Sequence, residues 1–233
     1  MRKELPTLLQ KAGTKLVKNV KISELFSKIP ELLAPIFAEF EYPWELLPRI
    51  KENIGKIAER SGYTEISEGI WVGKNVKISE SASLTPPLII GDDTEIRPSA
   101  YLRGNVIIGC GCVVGNSSEV KNSIILDAVQ IPHYNYVGDS VLGYHSHMGA
   151  GSVCSNLKSD GKSVVIRGDK EYDTGLRKVG AFLGDRADIG CGCVLNPGTI
   201  VGAGTSVYPL TALRGVYPAE CIVKATDKVV KRQ

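Results

Sequence analysis

Aliphatic residues recur every six positions along the middle of the chain, at Val72, Ile78, Leu84, Ile90, Ile96, Leu102, Ile108, Val114 and Val120. The step returns later at Leu183, Ile189, Leu195, Val201 and Val207. Four places after most of these stands a small or β-branched residue, as at Val76, Ala82, Thr94, Ala100, Cys112 and Ser118, then Ala187, Cys193, Thr199, Thr205 and Thr211. Glycine often follows the aliphatic residue directly, as at Gly73, Gly91, Gly109, Gly115, Gly184, Gly190 and Gly202. A step of six fits neither a helix nor a strand over a long run. It is the period of a parallel β-helix, where each hexad forms one flat face of a three-sided coil. The aliphatic residue then points into the prism, and the small residue four places on shares its cramped interior. The glycine is expected to supply corner dihedrals closed to other residues. A single coil leaves its faces uncovered, so stability accrues as coils stack. The expected fold class is all-β.

Residues 1–62 carry no hexads. Ser23 is expected to cap a short helix holding Leu25 and Phe26, and residues 31–40 are apolar on one face. Pro43 opens a longer helical segment through Trp44, Leu47, Ile50, Ile54, Ile57 and Ala58, with Pro48 kinking it or delaying its start. This predicts a small α-helical appendage packed on the first coils or on a neighbouring subunit; a docking module for a partner protein is the alternative. The β-helical domain is expected at 63–225, with a loop insertion at 155–181 where the hexads stop, and a C-terminal tail at 226–233. Two steps shorten to five residues, from Val120 to Ile125 and from Val137 to Leu142. From Gly215 the chain is expected to leave the coil, with Ile222-Val223 and Val229-Val230 free to form a last strand or short helix.

Composition narrows the function classes. At 233 residues the chain allows one or two domains, and its 6% aromatic content suits a narrow interior. A net charge of +3 is far from the basic balance of a nucleic-acid binder. No apolar run is long enough for a membrane span, and the start Met1-Arg2-Lys3-Glu4-Leu5-Pro6 lacks the apolar stretch of a signal peptide. A cytoplasmic location is expected, with the six cysteines reduced. Cys110-Gly111-Cys112 and Cys191-Gly192-Cys193 lack the two-residue gap of zinc or redox motifs, so Cys112 and Cys193 read as small core residues.

The shortened steps bracket Ile131-Pro132-His133-Tyr134-Asn135-Tyr136-Val137-Gly138-Asp139. His133 falls beside an outward corner, and imidazole accepts a proton near neutral pH, which makes it a candidate general base. His145 and His147 follow 12 and 14 residues later without a carboxylate at ligand spacing, so no metal site is expected.

The run from Arg103 through Gly151 resembles the acetyltransferase domain of bifunctional bacterial N-acetylglucosamine-1-phosphate uridyltransferases. It resembles archaeal sugar-1-phosphate nucleotidylyltransferases with amino-sugar acetyltransferase activity more closely, and through the insertion. Arg103-Gly104-Asn105-Val106, Glu119-Val120-Lys121-Asn122-Ser123, Pro132-His133-Tyr134-Asn135-Tyr136-Val137-Gly138-Asp139, Gly149-Ala150-Gly151, Ser155-Asn156-Leu157 and Thr174-Gly175-Leu176-Arg177-Lys178-Val179-Gly180-Ala181 carry the likeness. It covers roughly residues 70 to 225 and does not extend to a nucleotidyltransferase domain, so no uridyltransferase activity is expected.

The resemblance implies a left-handed coil, a homotrimer, and acetyl-CoA as co-substrate with no metal needed for acetyl transfer. Acetyl would move to the amine of glucosamine-1-phosphate, a step in UDP-N-acetylhexosamine biosynthesis. By the same resemblance His133 is the general base, while Arg103 and Lys121 hold the sugar phosphate. Tyr136 contacts phosphate or sugar hydroxyls, Asn156 contacts the sugar and orients the base, and Lys162 closes over the anion. Ala150 and Cys191 meet the pantetheine arm, and Arg214 and Lys224 the phosphates of CoA. His147 stands where the bacterial form has Asn, and Leu157 where it has Tyr, so galactosamine-1-phosphate stays open as acceptor. A nucleotide-linked amino sugar is the competing acceptor. A non-catalytic trimeric scaffold, of carbonic-anhydrase-like type or recruiting a separate uridyltransferase, is the competing class.

Overall fold

The computed structural model describes residues 20–232. The first residues of the appendage, including the start from which no signal peptide was expected, lie outside the described residues.

Each coil lays one strand on each of three faces. The coil from Ile70 uses Ile70–Val72, Lys77–Ile78 and Ser83–Thr85, and the next uses Leu88–Ile90, Glu95–Ile96 and Tyr101–Arg103. Strands on one face pair in parallel from coil to coil, giving a first face of nine strands, a second of nine and a third of seven. The chain is an all-β parallel β-helix. Antiparallel strands close both ends: Thr64–Ser67 pairs with Ile70–Val72, and Lys228–Lys231 folds back on Cys221–Ala225. The coil does not end at Gly215. Val216–Tyr217 and Cys221–Ala225 still pair in parallel with the coil before them, because Tyr217 and Val223 keep the inward step and are buried.

The hexad ladder fills the prism, with Leu102, Val120, Val137, Leu195 and Leu213 fully buried. The small residues do more than save space. Thr94 Oγ1 donates to Gly109 O at 2.8 Å, Cys112 Sγ to Leu126 O at 3.1 Å, and Thr205 Oγ1 to Pro218 O at 2.6 Å. A short side chain with a donor satisfies the corner carbonyl of the next coil from inside the prism.

The glycines act differently from expectation. Gly73, Gly91, Gly109, Gly184 and Gly202 do not carry the positive φ; the residue two places on does, as at Asn75 (55°), Asp93 (57°) and Arg186 (58°). What excludes a side chain is close stacking. A Cβ on Gly109 would sit 2.8 Å from Asp127 N, and one on Gly149 would sit 2.6 Å from Cys191 N.

The N-terminal segment covers the outside of the first face. Helix α1 (Ile22–Leu25) starts after Lys21, so Ser23 lies within it rather than capping it. Helix α2 (Ala34–Ala38) follows, then a 3-10 segment Pro43–Arg49 containing Pro48, and α3 (Ile50–Ser61) begins only after that proline. Ile54 and Ile57 of α3 join Ile89, Ile107 and Ile124 of the first face in one apolar layer. Such burial is worth about 2 kcal/mol per large aliphatic side chain. The insertion adds a hairpin, Val165–Arg167 with Glu171–Asp173, whose Ile166 enters the same layer. Trp44 ties the three together, with ring centres 4.6 Å from Tyr42, 5.8 Å from Tyr172 and 6.2 Å from Phe182. The appendage therefore packs on its own coil.

Candidate functional site

Two edges of the third face carry the residues singled out by sequence. His133 ends the strand Gln130–His133 at the corner between the second and third faces. Tyr134, next to it, takes φ +52° and turns the chain. The imidazole is exposed and has no hydrogen-bond or ion-pair partner among the described residues. The corner beneath it is fixed from inside: Asn135, 3% exposed, accepts the His133 N–H at Oδ1 (3.0 Å) and donates from Nδ2 to Gly149 O (2.8 Å) and Ser152 Oγ (3.1 Å).

Successive corners stack on this edge through backbone bonds. Gly151 N donates to His133 O at 3.0 Å, Gly192 N to Ala150 O at 2.8 Å, and Leu210 N to Cys191 O at 2.8 Å. His133, Ala150 and Cys191 thus form one column. Among the described residues, the Ala150 and Cys191 N–H groups have no acceptor. Lys224 continues the column, its Nζ 6.0 Å from the centre of the Tyr208 ring. Arg214 does not join it. It follows Ala212–Leu213 at the far side of the third face, where its N–H donates to Tyr217 Oη at 3.3 Å.

The opposite edge of the third face gathers Arg103, Lys121, Tyr136 and Asn156. Glu119 pairs in register with both Tyr101 and Tyr136, and Lys121 with Gly138, so these side chains share the outer surface. Arg103 Nη1 contacts Glu119 Oε1 at 2.6 Å, which raises the guanidinium pKa further. Lys121 Nζ lies 3.2 Å from Asp139 Oδ2. Asn156 Nδ2 donates to Tyr136 Oη at 3.1 Å and, in a shorter bond, to Asp139 Oδ2. Burial, then the nearby Asp139 and Glu119 charges, push the Tyr136 phenol above its ordinary value and keep it a donor. The phenol lies over Gly138, where a Cβ would collide with it and sit 2.8 Å from Asn156 Nδ2.

Both five-residue steps fall on this edge. Lys121-Asn122 and Gly138-Asp139 make shortened corners, with φ of +44° at Asn122 and +49° at Asp139, and Asp139 N donates to Lys121 O at 2.9 Å. The insertion leaves the coil at the same edge one turn on, which delivers Asn156. Lys162 is not brought in. It is exposed on the turn where Gly161 N donates to Lys158 O, and its own N–H donates to Asp160 Oδ1 at 3.0 Å.

Sequence reasoning passed over Asp139, Asn135 and Glu119. Asp139 and Asn135 are buried polar residues inside the motif already quoted; Asn135 takes the inward position four places after Ile131, as Ser118 does after Val114, whereas no hexad position accounts for Asp139. His147 does meet a carboxylate, supplied by the coil above: its Nδ1 lies 2.8 Å from Asp188 Oδ1. His145 faces another corner, and no group of three potential metal ligands exists among the described residues. No helix of the described residues is long and apolar enough to cross a membrane. Cys112 and Cys193 are buried in the prism, whereas Cys110 is partly exposed and Cys191 exposed.

The family model described as the GMPPB C-terminal domain matches residues 84–170. A Methanococcus maripaludis bifunctional protein GlmU is 37% identical over 196 residues, 81% of this chain and 47% of that protein. YaiX of Escherichia coli K12, whose name describes an uncharacterized acetyltransferase, is 31% identical over 182 residues, 78% of this chain and 77% of that one. The chain belongs to the hexapeptide-repeat acetyltransferase family. It spans 24% to 47% of the length of the first bifunctional relatives it matches. A crystal structure of Caulobacter crescentus PerB in complex with CoA and GDP-perosamine aligns with a TM-score of 0.42 at 17% identity, over 86% of this chain and 76% of that one.

Proposed function

We propose that the protein transfers an acetyl group from acetyl-CoA to the amine of a hexosamine-1-phosphate, with glucosamine-1-phosphate the favoured acceptor and galactosamine-1-phosphate the second. The observation that carries this reading is the pairing of two edges on one face. One gathers the cations Arg103 and Lys121 with the phenol of Tyr136 and the amide of Asn156; the other presents an imidazole and backbone donors that have no hydrogen-bond partner among the described residues.

In this reading the phosphate is held by the Arg103 fork and the Lys121 ammonium, with Tyr136 donating to it. His133 takes a proton from the amine as the nitrogen attacks the thioester carbonyl. The carbonyl oxygen becomes an oxyanion, to which the Ala150 N–H, without an acceptor among the described residues, would donate. Collapse expels the CoA thiolate, which is reprotonated, and the amide remains. Acetyl-CoA would lie along the column of Ala150 and Cys191 toward Lys224, in the groove between subunits of a trimer. Arg214 and Lys162 are assigned to the cofactor phosphates and the acceptor only if a neighbouring subunit or closure of the turn brings them there. The work would take place in the cytoplasm.

A thiol-release assay with acetyl-CoA against both hexosamine-1-phosphates and their nucleotide-linked forms tests the reading. Turnover with a hexosamine-1-phosphate at a kcat/KM at least tenfold above the nucleotide-linked sugar is expected. Preference for the nucleotide-linked sugar overturns the acceptor assignment, and no turnover by a trimeric preparation overturns the activity.

A further inference from the structure

We propose that Asp139 is the positioning residue of the acceptor site: its carboxylate holds Lys121 and Asn156, and through Asn156 aims the Tyr136 hydroxyl at the acceptor's phosphate. The inference deepens the acceptor reading above and rests on it.

Asp139 is 4% exposed and sits at φ +49° on one of the two shortened corners. Its backbone is tied on both sides, donating to Lys121 O at 2.9 Å and accepting from Gly180 N at 2.7 Å. Oδ1 accepts from Asn122 Nδ2 at 2.8 Å, while Oδ2 takes Lys121 Nζ and Asn156 Nδ2. Every partner is a donor, which is what an ionised carboxylate requires.

The consequence lies one bond further out. An ionised carboxylate cannot donate, so it forces the amide of Asn156 to turn its NH2 inward. That NH2 also donates to Tyr136 Oη at 3.1 Å. A phenol that accepts from Asn156 has its own proton free, and its one O–H must donate elsewhere. The open side of the cluster carries Arg103 and Lys121, where an anion would sit. Asp139 thereby converts an ambiguous amide and a rotatable hydroxyl into an ordered pair of donors. Lys121 keeps two ammonium protons beyond the one given to Asp139, so anchoring does not consume its capacity for phosphate.

Asp139→Asn keeps the shape and removes the constraint. The new amide can donate to Asn156, letting that side chain flip, accept the Tyr136 proton and withdraw it from the acceptor. Steady-state kinetics of Asp139→Asn should show an acceptor KM raised about tenfold or more, an acetyl-CoA KM within twofold of wild type, and a smaller change in kcat. Tyr136→Phe should produce a similar rise, and the double variant should be no worse than the poorer single one. An unchanged or lowered acceptor KM, or rises that multiply, overturns the inference; damage of a general kind would move both KM values. If Asp139→Asn does not fold, Asn122→Gly, which tolerates the φ of +44°, relaxes Asp139 from its other side and should raise the acceptor KM about threefold, no rise counting against the role. A readout free of activity separates this inference from the acceptor reading. In wild type the Asn156 side-chain NH2 protons, both hydrogen-bonded, should exchange slowly by NMR, and at least tenfold faster in Asp139→Asn. Equal rates overturn the role of Asp139 even if no hexosamine phosphate is turned over.

Discussion

Asn135 accepts the backbone N–H of His133 at 3.0 Å, from a side chain almost wholly enclosed in the coil. The base proposed for the reaction is therefore held by its backbone corner and left free at its ring. Asn135→Ala would strand the His133 N–H, while Gly149 O keeps its bonds from Ser152 N and Ser152 Oγ, costing about 2 kcal/mol of stability. The corner would shift, and a displacement on the order of 1 Å is enough to lower kcat about 10²-fold. Chemical denaturation and initial rates measured on one preparation check both numbers. A fall in stability with kcat unchanged would separate the corner from the chemistry.

Gly138 is the floor beneath Tyr136. Its backbone φ is ordinary, so Gly138→Ala carries no conformational penalty there, yet the added methyl collides with the phenol and crowds Asn156. The acceptor KM should rise about tenfold while the melting temperature moves little. An acceptor KM within twofold of wild type would mean that the phenol does not meet the acceptor.

Asp185 joins the appendage to the coil. Its 6% exposed carboxylate accepts Ser27 N at 2.7 Å, Ser27 Oγ at 2.8 Å, Lys28 N at 3.2 Å and Tyr144 N at 2.9 Å, and its own N–H donates to Leu25 O at 2.9 Å. Asp185→Ala removes four acceptor contacts of a buried charged group and should cost on the order of 3 kcal/mol. Protease cleavage near Ser27 should become faster in this variant. Unchanged cleavage would show that the apolar layer through Trp44 and Phe182 docks the appendage unaided.

The ladder from Val72 to Val120 made the coil readable because its inward positions answer only to the prism. Pro48 likewise marked where α3 could not yet begin. Contacts between coils were not readable in the same way. Asp139 meets Lys121 across 18 residues and Asn156 across 17, and His147 meets Asp188 across 41, the insertion included. Such partners lie one coil apart, a distance that depends on how many residues each corner spends. The two short steps did locate the Asp139 edge, but as a break in a pattern rather than as a set of contacts. The glycines misled because a close approach and a positive φ select the same residue type.

Thiol chemistry distinguishes the cysteines. Burial pushes the Cys112 and Cys154 thiols up to about 12, while Cys191 is exposed on the His133 edge. The thiolate is the reactive form, so alkylation at pH 8 should mark Cys191 first and leave Cys112 and Cys154 unmodified in the folded protein. Acetyl-CoA should slow the labelling of Cys191 if the cofactor lies along that column. Labelling at an equal rate with saturating acetyl-CoA would place the cofactor elsewhere.

Mass-spectrometric detection of N-acetylated product from acetyl-CoA and glucosamine-1-phosphate, by the wild-type protein and by His133→Ala, tests the central claim most directly. Wild type should form the product and release CoA in equal amounts, and His133→Ala should lose 10²–10⁴-fold in kcat while still binding acetyl-CoA. A loss near twofold would contradict the account, leaving His133 a corner residue and the base elsewhere.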